Sequence, residues 1–165
     1  MVRKDPARLA ELRRLLLLDS SAEQACDDLA RLLGTSLDVP ITMVNLLDAD
    51  RDWFKSVVGL PTRESPAATS FCEAFFHTTD DVIVVPDTAH DPRFMSNPLV
   101  VGAPFVRFYV AARLAVGGHT VGTLCAYDLR PREISTEQVE RLQALACAVV
   151  ELFSHRRLRV VDGHT

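Results

Sequence analysis

The chain has 165 residues, of which 48% are hydrophobic and 24% charged, with a formal net charge of −4. These values are typical of one globular domain, and they exclude broad nucleic-acid binding because no basic excess is present to neutralise phosphates. The N-terminal segment is charged, and the leucine run at 15–18 is too short to span a bilayer. We therefore expect a cytoplasmic protein without a membrane partner.

The first predicted helix covers residues 6–18. Asp5 supplies an N-cap, and the proline that follows it suits the first helical position. Leu9, Leu12 and Leu16 then recur at helical spacing. So short a helix is marginally stable alone, so we expect it to pack on the domain or on a second copy of the chain.

A second helix is predicted after two overlapping capping boxes. Ser20 with Glu23, and Ser21 with Gln24, have the spacing at which two side chains satisfy each other's backbone amides. The helix is expected to end at Gly34, since glycine commonly terminates helices.

Five strands and a last helix are predicted further along the chain. Apolar runs between turn-forming residues indicate strands over 41–47, 53–58, 82–85, 108–116 and 120–127. Gly117-Gly118 joins the last two strands as a hairpin, and Ser135 with Gln138 begins the final helix. Two hairpins with helices before and after them predict an α+β fold with a central antiparallel sheet.

Short motifs run through the chain in a fixed order. They are VPI at 39–41, LDADRDWFKS at 47–56, SFC at 70–72, VPD at 85–87, DPRF at 91–94, NPLV at 97–100, RFY at 107–109, GTLC at 122–125 and RPR at 130–132. With them the chain resembles the GAF domain family over about residues 7–157, in the subtype found in bacterial sensor histidine kinases and diguanylate cyclases.

The resemblance implies a central antiparallel sheet of five to six strands in the order 2-1-5-4-3. N- and C-terminal helices would cover one face, and a long loop with short helices would enclose a pocket on the other. The whole chain, residues 1–165, would be a single domain. Its core would cover about 20–157, with an N-terminal helix over 1–18 and a tail over 158–165.

Candidate ligand-binding residues lie in the segments expected around this pocket. The aromatic residues either line an apolar pocket or fill the space as core. The arginines either meet an anionic ligand or pair with aspartates to fix the loop, and the two cysteines are either reactive or inert core thiols. The candidates are Phe71, Cys72, Phe76, Asp87, Arg93, Phe94, Arg107, Phe108, Tyr109 and Cys125.

One position departs from the family pattern. Arg113 stands in the hairpin where this subtype has proline, so its side chain either faces solvent or reaches into the pocket. The cofactor stays unidentified, because the histidines lack metal-ligand spacing and no phosphate-binding glycine motif is present.

The resemblance implies a stand-alone, non-enzymatic sensor or regulatory domain that binds a small molecule or a partner protein in signal transduction. The alternatives are a dimerisation module without a ligand and a thiol-based free methionine-R-sulfoxide reductase, whose Pro-Gly-His-Ile-Ala-Cys stretch is absent here. The expected partners are a separate kinase or cyclase and a second copy of the chain. The dimer would use Leu9, Leu12 and Leu16 with the outer face of the last helix.

Overall fold

An antiparallel sheet of six strands forms the centre of the computed structural model, which describes residues 2–161. Its strands lie in the order β3-β2-β1-β6-β5-β4. Without the short edge strand β3, this corresponds to the order 2-1-5-4-3 that the resemblance implies. The strands are β1 (Ile41–Leu47), β2 (Arg51–Val58), β3 (Glu64–Pro66), β4 (Val82–Val85), β5 (Phe108–Val116) and β6 (His119–Asp128).

Helices cover both faces of the sheet. The α-helices of the described part are α1 (Pro6–Arg14), α2 (Gln24–Leu37), α3 (Pro98–Val101) and α4 (Thr136–Val161). Short 3₁₀ helices span Ala67–Thr69, Phe71–His77 and Thr88–His90. No helix within residues 2–161 combines the length and the apolar character that a membrane crossing requires. α4 continues into the expected tail at 158–165, of which residues 162–165 lie outside the described residues.

Strand periodicity divides the interior into two cores. Side chains alternate between the two faces of a strand, so neighbouring residues enter different layers. On β5, Phe108 and Val110 pack with α2 and α4 in the helix-side core, whereas Tyr109 and Ala111 join the loop-side core beneath the 3₁₀ helices and α3. The central strands are therefore apolar on both faces, as buried strands are.

The first helix packs against the domain itself. The Asp5 carboxylate accepts from the backbone amide of Arg8, which confirms the predicted N-cap. The helix ends at Arg14, earlier than expected. Leu9 and Leu12 are buried inside the domain, so of the three proposed dimer leucines only Leu16 is exposed. The dimer surface predicted on this helix is wrong, because the helix needs those leucines to attach to the sheet.

The two capping boxes predicted before α2 do not form. Glu23 occupies the N-cap position without a side-chain hydrogen bond. The Ser20 hydroxyl and the Ser21 carbonyl instead accept hydrogen bonds from the ammonium group of Lys55. Lys55 is fully buried on β2 and requires oxygen acceptors, and the segment before α2 supplies them. A tertiary contact therefore replaces a local one.

The local sequence predicts the start of α4 correctly but not the end of α2. α2 continues past Gly34 to Leu37 and ends where Asp38 takes the left-handed conformation, with φ of 54°. At the start of α4, Ser135 and Gln138 form the predicted reciprocal pair, with bonds of 2.9 and 3.1 Å. This box lies on the surface, where no buried cation competes for the hydroxyl.

Arg113 binds the chain segment that leads into β4, and it faces neither the pocket nor the solvent. Its guanidinium donates to the backbone carbonyls of Phe75, Thr78 and Asp80, and it stacks on the Phe75 ring at 5.1 Å. These bonds hold the end of the Phe71–His77 helix and the chain entering β4 against β5. Both interpretations of this arginine from the sequence are therefore wrong.

Two adjacent leucines on α2 test whether this helix packs on the sheet through the face described above. Leu33 is fully buried, whereas Leu32 is 52% exposed. We expect Leu33→Ala to lower the free energy of unfolding by about 2–5 kcal/mol, because it leaves a cavity. Leu32→Ala has the same helix propensity and should change it by no more than about 0.5 kcal/mol. Urea unfolding of both variants measures the difference, and equal losses would contradict the packing described.

Candidate functional site

A cavity of about 220 Å³ lies between the loop-side face of the sheet and the segments that cover it. Alternate residues of β1 and β2 form its floor, because they point to the loop side. Its apolar lining residues are Ile41, Met43, Phe54, Leu60, Phe71, Leu99, Pro104, Val106 and Tyr127. Its polar lining residues are Asp52, Thr62, Ser65, Thr69 and Ser70.

Asp52 is the buried polar centre of this cavity, with 3% of its surface exposed. Its Oδ1 lies 2.9 Å from Nη1 of Arg3. Its Oδ2 accepts from the Ser70 hydroxyl and, at 3.0 Å, from Nδ2 of Asn45. Burial raises the pKa of Asp52 above its ordinary value, although these three partners favour the charged form.

Arg3 brings the N-terminal segment to this carboxylate. Its Nε lies 2.9 Å from the Glu73 carboxylate, and Nη1 also donates to the carbonyls of Asp48 and Arg51. Residues before α1 are therefore joined to the β1–β2 turn and to the Phe71–His77 helix. The guanidinium of Arg8 donates to the carbonyl of Arg3 and so fixes the backbone of this segment.

A second polar cluster surrounds Cys72, which is fully buried. Its sulfur lies 3.0 Å from the hydroxyl of Thr123 and 3.1 Å from that of Tyr109. Cys125 lies beside Cys72 in the same core, and its thiol contacts the carbonyl of Met43 at 3.8 Å. Burial raises the pKa of Cys125 well above its ordinary value, and Asn45 joins this cluster to Asp52.

Most of the candidate aromatic residues fill space instead of lining the cavity. Phe71, Phe94, Tyr109 and Tyr127 form a cluster whose neighbouring ring centroids lie 5.2–5.5 Å apart. Of these four rings, only Phe71 and Tyr127 reach the cavity surface. The interpretation of these aromatic residues as core is therefore the better one for Phe94 and Tyr109.

Two further aromatic candidates lie elsewhere. Phe76 packs beneath the guanidinium groups of Arg3 and Arg8, at 5.6 and 5.0 Å. Phe108 belongs to the helix-side core, on the opposite face of the sheet. Its assignment to the pocket is wrong, because the neighbouring Tyr109 takes the loop-side position on β5.

The charged candidates hold the covering loop and do not line the cavity. Asp87 accepts from the backbone amide of Ala89 at the start of a 3₁₀ helix. Arg93 forms a two-bond pair with Asp91, at 2.8 and 3.0 Å. Arg107 donates to the carbonyls of Val100 and Val106. These contacts support the interpretation of the charged residues as loop-fixing groups over that of an anion site.

The sequence interpretation missed the polar residues at the centre of the site. Asp52 and Ser70 were interpreted only as parts of family motifs, and Asn45 was not singled out. A signal existed for Asp52 in the sequence, since it is an acidic residue directly before a predicted strand that begins with Trp53 and Phe54. For a metal, residues 2–161 contain no group of three or more His, Cys, Asp or Glu side chains placed to hold an ion.

The fold and this cavity define an α+β domain with helices on one face and a covered pocket on the other. The family model of the GAF domain matches residues 21–150, and the chain belongs to this family.

Relatives show how the chain compares with longer proteins. It is 36% identical over 162 residues to a cyclic di-GMP phosphodiesterase of Pseudomonas aeruginosa, covering 96% of this chain and 27% of the relative. The chain thus spans about a quarter of that protein.

Solved structures share the fold at low sequence identity. The GAF domain of the Acinetobacter phosphoenolpyruvate-protein phosphotransferase has a TM-score of 0.67 at 16% identity, covering 92% of this chain and 95% of that one. The free methionine-R-sulfoxide reductase of Neisseria meningitidis has a TM-score of 0.63 at 16% identity, with coverages of 92% and 89%. Identities this low establish a common fold alone.

Thiol accessibility can be tested directly. Cys147 is exposed on α4, whereas Cys26, Cys72 and Cys125 are buried. Burial raises the pKa of Cys26 to about 11, which further slows its reaction. We expect one fast equivalent of thiol in the native protein with a disulfide reagent, and four after unfolding. Cys147→Ser should remove the fast equivalent. Fast reaction of Cys72 in that variant would contradict the buried cluster.

Proposed function

We propose that this chain is a non-enzymatic sensor domain of bacterial signal transduction that binds a small molecule in the cavity beneath its covering loop. The observation that carries the proposal is the cavity itself, about 220 Å³ in volume and lined mainly by apolar side chains with a few polar groups. Such a lining is typical of small-molecule sites. Membership of the GAF family supports a regulatory role.

The volume limits the ligand to a small one. Pockets for drug-sized molecules occupy roughly 300–1,000 Å³, so this cavity suits a compact molecule of lower mass. The apolar wall would contribute most of the binding free energy, at about 25 cal/mol per Å² of buried apolar surface. The hydroxyl groups and Asp52 would orient the ligand.

We infer that the bound ligand regulates a catalytic unit of signal transduction in the cytoplasm. The relative from Pseudomonas aeruginosa is a cyclic di-GMP phosphodiesterase, which makes an enzyme of cyclic-dinucleotide turnover, or a kinase, a reasonable partner. A reductase activity is not favoured, since neither Cys72 nor Cys125 lines the cavity. A partner protein in place of a small molecule would not need an apolar cavity.

Two residues of α3 test the site. Leu99 lines the cavity, whereas Val101 lies on the same helix with 64% exposure and does not. We expect a screen of small fragments to shift the methyl signals of Met43 and Val106 in NMR spectra. Leu99→Trp should fill the cavity and weaken binding at least tenfold, because the new ring occupies the ligand's space. Val101→Trp is the matched control.

The opposite results are equally clear. If no fragment shifts those methyl signals, or if both tryptophan variants bind equally well, the cavity is not a ligand site. Native mass spectrometry of the purified protein adds an independent measurement. A retained ligand would increase the native mass, and the increase would disappear on denaturation.

We further propose a homodimer through the exposed face of α4. Ala144, Cys147 and Glu151 lie on this face, so the fast reaction of Cys147 is expected in dilute protein and should slow as the dimer forms. Leu9 and Leu12 are buried within the domain and do not contribute to the contact. Light scattering at micromolar concentration should give twice the chain mass of 18.3 kDa. Ala144→Arg should give the mass of a monomer, because it places a charge in the contact. Ala68→Arg, on the opposite face of the sheet, should leave the dimer mass unchanged. A wild-type monomer would contradict this proposal.

A further inference from the structure

The cavity lining carries negative charge and no positive charge among the described side chains. Asp52 is the only charged side chain that lines the cavity within the described residues. Arg63, beside the lining residue Thr62, points elsewhere: its Nη2 donates to the carbonyls of Phe54 and Lys55. Among the side chains that the structure describes, no arginine, lysine or histidine lines the cavity, so an anionic ligand would lose its hydration without gaining a counter-charge.

Asp52 retains capacity for another donor. A carboxylate has about four acceptor positions, two on each oxygen. Oδ2 accepts from both Asn45 and Ser70, but Oδ1 accepts only from Arg3. Arg3 lines a neighbouring groove and not the cavity, and its Nη1 occupies one acceptor position of Oδ1, so a ligand donor would use the second position beside it. Burial raises the pKa of Asp52, and a cation in the cavity would oppose that effect.

Aromatic rings supply the rest of a cation site. Phe54, Phe71 and Tyr127 all line the cavity. An ammonium group near such rings is attracted to their faces, because the ring faces carry partial negative charge. The same rings also accept the apolar part of a ligand, so one molecule can satisfy both features of the lining.

We propose that the cavity selects a small organic cation, a protonated amine on an apolar or aromatic body, with the ammonium group placed at Asp52. This inference rests on the proposed function and specifies the chemical class of its ligand. The ammonium group would donate to Oδ1 of Asp52, and the body would lie against the apolar wall. The hydroxyl groups of Thr62 and Ser65 lie in the same lining and offer further acceptors for the amine protons.

Three probes of similar shape separate charge from shape. They are 2-phenylethylamine, 2-phenylethanol and 3-phenylpropionate, which are cationic, neutral and anionic at neutral pH. Binding to the wild-type protein is followed through the methyl signal of Met43. We expect the amine to bind at least tenfold more tightly than the carboxylate, with the alcohol between them. Equal or tighter binding of the carboxylate would overturn the inference.

Two aspartate variants test whether Asp52 causes the preference for the amine. Asp52→Asn should lose most of the preference for the amine over the alcohol. Asp50→Asn is the matched control, because Asp50 is an exposed residue paired with Lys4 and lies outside the cavity. If Asp52→Asn keeps the full preference, Asp52 does not hold the ammonium group and the inference is wrong. Should that variant fail to fold, the comparison of the three probes on the wild-type protein decides alone.

The outcomes also separate this inference from the proposed function. Binding of the alcohol or the carboxylate without preference for the amine would overturn the cation assignment and leave a small-molecule site. If none of the three probes binds and no fragment shifts the methyl signals of Met43 and Val106, both the cation assignment and the proposed small-molecule site are wrong.

Discussion

The contact between Arg3 and Asp52 joins most parts of the loop-side layer. A carboxylate taken out of water is costly, by several kcal/mol, unless partners compensate it. Here the partners come from three places in the chain: Arg3 before α1, Asn45 on β1 and Ser70 between two 3₁₀ helices. Removing one partner of such a buried pair typically costs about 3–5 kcal/mol. The N-terminal segment, the sheet and the wall of the cavity are thus connected through one side chain.

The two faces of the sheet are covered by layers of different composition. The helix-side core is mainly apolar and is covered by α2 and α4, and its buried Lys55 and Thr42 are each hydrogen-bonded to the helix-side segments. The loop side combines an aromatic cluster with buried polar groups around Cys72 and leaves the cavity beside them. Buried polar networks are specific when their members are satisfied, so this layer can hold a defined cavity where a purely apolar core would pack closed.

Arginine is the residue that attaches the irregular segments. Arg8 donates to the carbonyl of Arg3, Arg113 to those of Phe75 and Thr78, and Arg156 to those of Leu15 and Leu16. Each guanidinium donates to carbonyl groups near the end of a helix. Its several donors in a fixed plane suit this task better than a single ammonium group. The covering segments therefore depend on long-range contacts that are absent from any local pattern.

The sequence by itself determined five of the six strands, the hairpin at Gly117-Gly118, the capping of α4 and the α+β class, because these depend on side-chain periodicity and on local hydrogen bonds. It did not show β3, whose three residues form a strand only by pairing with β2. Only the tertiary structure decided which face each strand residue enters, and hence that Tyr109 and not Phe108 lies on the loop side. It also decided that Ser20 serves Lys55 instead of α2, and that Asp52 and not Arg93 lies at the cavity. These outcomes depend on partners distant in the chain, whose competition for a buried charge or hydroxyl cannot be judged from neighbouring residues.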